Sequence, residues 1–361
     1  MKKRPDVIFL LLAATLIMIG TIMIFSASPA LALKHGDTFY YLKRHLFYIL
    51  LGLFGFNFAL KLNLANLKKY SSLILLVSLA LLVMVFLPHV GRSMGGASRW
   101  IDLYVISFQP SELAKFAVIL FLASALANKK EGIRDFMTGL LPLLLIVGLV
   151  AAIIIKQPDL GTALSICFTS FLMLFVAGAQ LIHLGVLLAA GAAGVLAISI
   201  LSPYRMKRLF AYLNPWNDPL NIGFQIIQSL LAVGSGGIFG LGLGNSRQKF
   251  YYLPQQYADF IFAVLCEELG FIGAVVVLVL FVIFFARGIG IALKASDSFS
   301  YYLGMGIIIM FAVQTFMNLS VVLGLIPTTG IPLPFVSYGG TATLINLFSV
   351  GLVANISRNA K

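Results

Sequence analysis

Charge is what this chain has least of. Only 10% of its 361 residues are Asp, Glu, Lys or Arg, while 60% are hydrophobic, and its mean hydropathy is +1.02. A soluble domain carries about 25% charged residues. Too few polar side chains are present to cover a surface facing water, so the solvent around this chain must be lipid. There are two cysteines, Cys167 and Cys266, both inside apolar runs, which argues against a structural disulfide and against any metal-type Cys/His spacing. The four histidines, His35, His45, His89 and His183, form no motif. Alternating polarity over about ten residues, the mark of a membrane barrel, is missing too; the apolar runs are long and continuous, as spanning helices require. Nucleic acid is an unlikely class of partner because of how the charge is distributed. The formal net charge is +13, but the basic residues are dispersed among loops on both sides of the apolar runs.

Runs near the ~20 residues needed to cross ~30 Å of hydrocarbon lie at about 7–27, 46–61, 71–88, 111–127, 136–155, 160–178, 181–201, 259–286, 301–324 and 338–356. The first follows Met1-Lys2-Lys3-Arg4 and is longer than a signal core of about 7–15 residues, so it reads as a retained span. Ten spans place both termini on one side. Lys and Arg are slightly more numerous in the inner segments and densest in the short inner loops, which puts the termini in the cytoplasm. The expectation is an all-α polytopic membrane protein, one integral membrane domain over 1–361, with a large extracytoplasmic loop at 202–258 between spans 7 and 8. Long loops on a rigid body tend to carry function. Within this one, 223–244 is apolar but holds seven glycines, and reads as interfacial or re-entrant helices packed on the spans.

The loop also concentrates charge of one sign. Arg205, Lys207, Arg208, Arg247 and Lys249 face a single acid, Asp218. The twelve acids of the chain can be placed one by one. Glu112 and Lys115, three apart, share a helix face, either as a self-neutralising pair or as a pair turned to substrate. Asp159, in QPDLGTA just before a span, reads as a helix N-cap or first-turn acid. Glu267 and Glu268 lie ~12 Å deeper than Asp259 by helix rise and read as partnered structural acids. Asp259 opens the eighth expected span, just after the basic loop and among aromatics. It reads either as an N-terminal cap or as a general base near cations that could take a phosphate.

The motifs GRSMGGASRWIDL, FQPSELAK, QPDLGTA, NPWNDP, GFQIIQSLLAVGSGGIFGLGLGNS, YLPQQYADFIFAVLCEELG and GLIPTTGIPLPFVSYGG resemble those of the SEDS family of polytopic membrane glycosyltransferases (RodA, FtsW and SpoVE). The resemblance covers essentially the whole chain, and the wording around NPWNDP and DFIFAV is more similar to the FtsW/SpoVE branch. It implies ten transmembrane helices in a bacterial plasma membrane. It also implies a peptidoglycan glycosyltransferase that polymerises lipid II in division or sporulation wall synthesis, working with a class B penicillin-binding protein, the transpeptidase. By motif position, Asp259 matches the family's essential outer-loop aspartate. Glu112 and Lys115 match the acidic and basic positions of its fourth helix, and Arg205 and Arg208 match basic positions ahead of NPW. Gln255 and Ala258 depart from the family pattern, which commonly has Glu and Thr or Ser there.

The implied reaction is inverting transfer. Asp259 would deprotonate an acceptor hydroxyl while Arg205, Lys207 or Arg208 meets the leaving undecaprenyl pyrophosphate. A divalent cation, Mg or Mn, could share that charge, with Asp259 as its candidate ligand. Arg99, Arg247, Lys249 and Ser337 complete the candidate substrate-binding set. Two rival readings are a lipid II flippase and a non-catalytic scaffold for the transpeptidase. The flippase reading lacks the paired broken spans that mark a midplane site; the scaffold reading requires that the basic loop and Asp259 be dispensable.

Overall fold

The computed structural model describes residues 4–87, 91–94, 97–102, 107–221, 223–249 and 256–359. Gln255 lies outside these residues. Helix forms wherever a long apolar run is free of proline, and polar caps mark the boundaries. Asp6 opens α1 (Val7–Ala27) by accepting from Phe9 N at 2.9 Å, and Arg287 holds the same carboxylate at 2.7 Å. A short α2 (Pro29–Ala32), α3 (Tyr40–Lys61), α4 (Leu64–Lys69) and α5 (Ser71–Met84) follow. After a β-hairpin come α6 (Pro110–Lys129), α7 (Leu141–Lys156), α8 (Leu160–Val176) and α9 (Leu181–Ile200). The loop beyond α9 contains α10 (Pro203–Leu213) and α11 (Phe224–Ser235), and the chain ends in α12 (Ile261–Leu293), α13 (Ser298–Val322) and α14 (Gly340–Arg358).

Among the described residues, seven segments are long and apolar enough to cross a membrane: α1, α6, the 136–156 segment that ends in α7, α9, α12, α13 and α14. The protein is therefore a mostly helical, multi-pass membrane protein. Helices α6, α13 and α14 are the most buried and form the centre, whereas α9 is exposed along nearly its whole length. With lipid tails as apolar as Leu, cohesion between such helices comes from close packing and interhelical hydrogen bonds. Asn355 of α14 illustrates the second: its amide donates to Ala59 O and Leu62 O, both at 2.8 Å, and so closes the C-terminal end of α3. Packing is clearest where Phe9, Phe284, Phe311 and Phe335 meet, with ring centroids 4.7–6.0 Å apart. This hub ties α1, α12 and α13 to the loop before α14.

Three departures from the sequence-based expectation matter. The fold is not purely helical. Strands β1 (Gly91–Met94), β2 (Ala97–Asp102) and β3 (Ser107–Phe108) form an antiparallel sheet between α5 and α6. Gly95-Gly96 between β1 and β2 is a hairpin signal. Second, α12 begins at Ile261, so Asp259 stands in the turn before the helix rather than inside it. Third, α12 is broken at Gly270, where φ 68 and ψ −169 suit only glycine. The break exposes backbone groups that lipid cannot satisfy. They are taken up by the turn that follows α11. Leu241 N and Gly242 N donate to Glu267 O and Glu268 O, both at 3.0 Å, while Phe271 N and Ile272 N donate to Gly237 O and Ile238 O at 2.9 and 3.2 Å. The glycines of 223–244 thus let a strap of chain pair with a helix from the side.

Candidate active site

Asp259 is positioned by the loop between α13 and α14, residues 323–339. Pro327, Pro332 and Pro334 keep this loop from becoming helix, leaving its carbonyls and hydroxyls free to bind other segments. Ser337 Oγ donates to Ala258 O at 2.7 Å and accepts from Leu333 N at 2.8 Å. Tyr338 N donates to Tyr257 O at 3.0 Å. Asn318, near the end of α13, donates its amide to Asp259 O at 2.7 Å and to Ile331 O at 2.8 Å. The backbone is therefore pinned at 257, 258 and 259. The carboxylate itself borders Gly330: a Cβ there would lie 3.7 Å from Asp259 Oδ2.

Other charged groups arrive at the same turn from three further elements. Arg208 of α10 donates to Thr328 O at 2.8 Å. Asp159 caps α8, accepting from Thr162 N at 3.1 Å and from Thr162 Oγ1 at 2.9 Å. The first turn of α8 rests on Thr329, so close at Gly161 that a Cβ would fall 2.3 Å from Thr329 O. Arg99 of β2 lies 4.0 Å from Asp159 and donates to Gln157 O at 3.1 Å and to Pro158 O. Asp259 retains some exposed surface, yet protein crowds it enough to push its carboxyl up to about 6. Burial is the main cause and the charge of Asp159 the second; Arg208 and Arg99 oppose them. A half-buried carboxyl with a raised proton affinity, beside guanidinium groups, can accept a proton from a hydroxyl and tolerate an anion nearby.

The rest of the sequence-derived set is scattered. Glu112 and Lys115 form a buried ion pair of 2.8 Å in α6, with Lys115 bordering a small void shared with Thr169, Ser170 and Met310. Lys249 is buried and turned inward, 3.0 Å from Glu268 and 3.2 Å from Ser26 Oγ. Arg247 is exposed, and its backbone N–H donates to Glu267 at 2.9 Å. Lys207 is exposed. The Arg205 side chain lies outside the described residues. Ser337 belongs to the scaffold of Asp259, holding its backbone neighbour by the bond given above. Asn318 and Gly330 went unread in the sequence. A signal existed for the first: a side-chain amide inside an apolar helix needs partners.

Among the described residues no group of three His, Cys, Asp or Glu side chains converges to hold a metal. A divalent cation at Asp259 would take most of its ligands from substrate phosphates and water.

The family model for FtsW, RodA and SpoVE, described as cell cycle protein, matches residues 6–361. Stage V sporulation protein E of Bacillus subtilis (strain 168) is 45% identical over 361 residues, covering 100% of this chain and 99% of that protein. The probable peptidoglycan glycosyltransferase FtsW of Geobacter metallireducens is 42% identical over 360 residues, covering 99% and 96%. In structure, a chain of a peptidoglycan synthase complex that coordinates polymerization and crosslinking aligns with TM-score 0.81 at 32% identity, covering 98% of each chain. The rod shape determining protein RodA of Thermus thermophilus aligns with TM-score 0.72 at 30% identity, covering 99% of this chain and 97% of that one.

Proposed function

The chain belongs to the FtsW, RodA and SpoVE family, and from that premise we propose that Asp259 is the general base with which it joins lipid II units into glycan. The protein is a peptidoglycan glycosyltransferase serving cell division or sporulation. The observation that carries the assignment of the base is the environment of Asp259: a pinned backbone, a carboxyl raised to about 6, and two guanidinium groups, Arg208 and Arg99, acting on it. In the step, the acceptor hydroxyl gives its proton to Asp259. Its oxygen bonds the anomeric carbon of the donor, the bond from that carbon to the pyrophosphate breaks, and undecaprenyl pyrophosphate leaves with the electron pair. Arg208 and Arg99 lower the energy of that departing charge, which is greatest in the transition state. Lys207, exposed on α10, meets phosphates at the membrane surface.

We count α3, α5 and α8 as spans beside the seven named above, which makes ten and leaves both termini in the cytoplasm of a plasma membrane. The 202–258 segment then lies outside, with α11 and its strap entering the membrane beside α12. A class B penicillin-binding protein is the partner this arrangement serves, since new strands must be crosslinked where they emerge. The test is a gel of products from purified protein, labelled lipid II and Mn²⁺ or Mg²⁺, beside Asp259→Asn. A glycan ladder lost in the variant is the expected result. A ladder of normal intensity from the variant would remove Asp259 from the chemistry, and lipid II crossing a vesicle membrane without any ladder would favour a flippase.

A further inference from the structure

Asp159 has no part in the step just described, yet its placement exceeds what a helix cap needs. It is buried, and both oxygens are fixed by Thr162. Through Gly161 the start of α8 presses on Thr329, and the next residue, Gly330, borders Asp259 Oδ2. Residues 329–330 thus join the start of α8, which Asp159 caps, to Asp259. The charged or titratable groups acting on Asp259 from the elements packed around it are Asp159, Arg99, Arg208 and its near neighbour Tyr257. Asp159 is the negative member of this set.

We propose that Asp159 is a positioning residue for glycosyl transfer: its fixed negative charge makes Asp259 the stronger base, and Arg99, paired with Asp159, sets how strongly that charge is felt. The inference rests on the reading of Asp259 as the base. Repulsion between the two carboxylates is present while Asp259 is ionised and disappears when it takes the proton of the acceptor hydroxyl. An interaction unfavourable before proton transfer and relieved during it lowers the barrier to that transfer. A carboxylate free of this repulsion would hold the proton less well and would be the poorer base. Rigidity is essential to the effect, because a mobile acid would swing away from Asp259 instead of repelling it. The bonds from Thr162 and the contact of α8 with Thr329 supply that rigidity.

The test is the pH dependence of lipid II turnover by the purified full-length protein between pH 5 and 8. Asp159→Asn removes the charge but keeps the cap, since Asn caps helices as well as Asp does. Its acid limb should move down by about one pH unit, with kcat falling and KM little changed. Arg99→Gln removes a charge that acts on Asp259 directly as well as through Asp159, so the limb should move up, and by less when Asp159→Asn is added. Asp159→Glu, which keeps the charge, should return the limb towards that of the parent. A limb that stays in place in Asp159→Asn, or a rate loss in that variant equal at every pH, would overturn the proposal while leaving Asp259 as the base. A parent protein that makes no glycan at all would overturn both.

Discussion

Replacing Asp259 by Asn separates the chemistry of this carboxylate from its cost to the fold. The group sits at about 6 against an ordinary 3.8, chiefly through burial and then through the charge of Asp159. At about 1.4 kcal/mol for each pH unit, holding it ionised near neutrality costs about 3 kcal/mol. Its remaining exposed surface lets solvent recover part of this, so about 2 kcal/mol is the working figure. The sign follows from linkage. A carboxyl whose folded pKa lies above its unfolded one gives its full stability when protonated, below about pH 4, and that stability is lost as the pH rises through about 6. Asn is neutral at every pH and keeps it. Asp259→Asn should therefore unfold at a higher temperature than the parent at pH 8, and the two should converge at pH 4. Thermal unfolding in detergent, followed by intrinsic fluorescence at both pH values, measures this, and lipid II turnover on the same samples measures the chemistry. The expected protein is more stable and inactive. A variant no more stable at pH 8, or a gain that persists undiminished at pH 4, would refute the argument from burial and repulsion.

Two further outcomes follow from buried polar side chains. Lys249→Met leaves Glu268 buried without its cation and should cost about 3–5 kcal/mol; adding Glu268→Leu should recover most of that, read from thermal midpoints of the single and double variants. Asn318→Leu removes the donor to Asp259 O and Ile331 O and should cost about 1–3 kcal/mol for the carbonyls left unpaired. Because it loosens the backbone of Asp259, turnover should fall further than the folded fraction does, a comparison made at a temperature where the variant remains folded.

Much of this protein could be read directly from its residues. A chain with so little charge and such long apolar runs has no soluble solution, and because lipid satisfies no backbone group, each run had to become a helix. The boundary at Leu160 follows from Asp159 just ahead of it, since a capping acid acts within its own turn; the caps Asp6 and Asp297 read from the sequence only as acids flanking spans. Asp259 stood out for a similarly local reason: it is an acid at the edge of an expected span, after a loop rich in base. Tertiary structure alone decided which charges would meet. Lys249 and Arg208 look alike in the sequence, both being bases of the same long loop. Yet one turns inward to Glu268 while the other reaches Thr328, in the loop that borders Asp259. Asp159 and Asp259, a hundred residues apart, come to act on one another because the first turn of α8 and the turn before α12 both lie against 329–330, a tertiary contact that periodicity along one chain cannot encode. The break in α12 depends on the same kind of fact: Gly270 permits it, but only the strap of 237–242 lying alongside satisfies the groups it exposes.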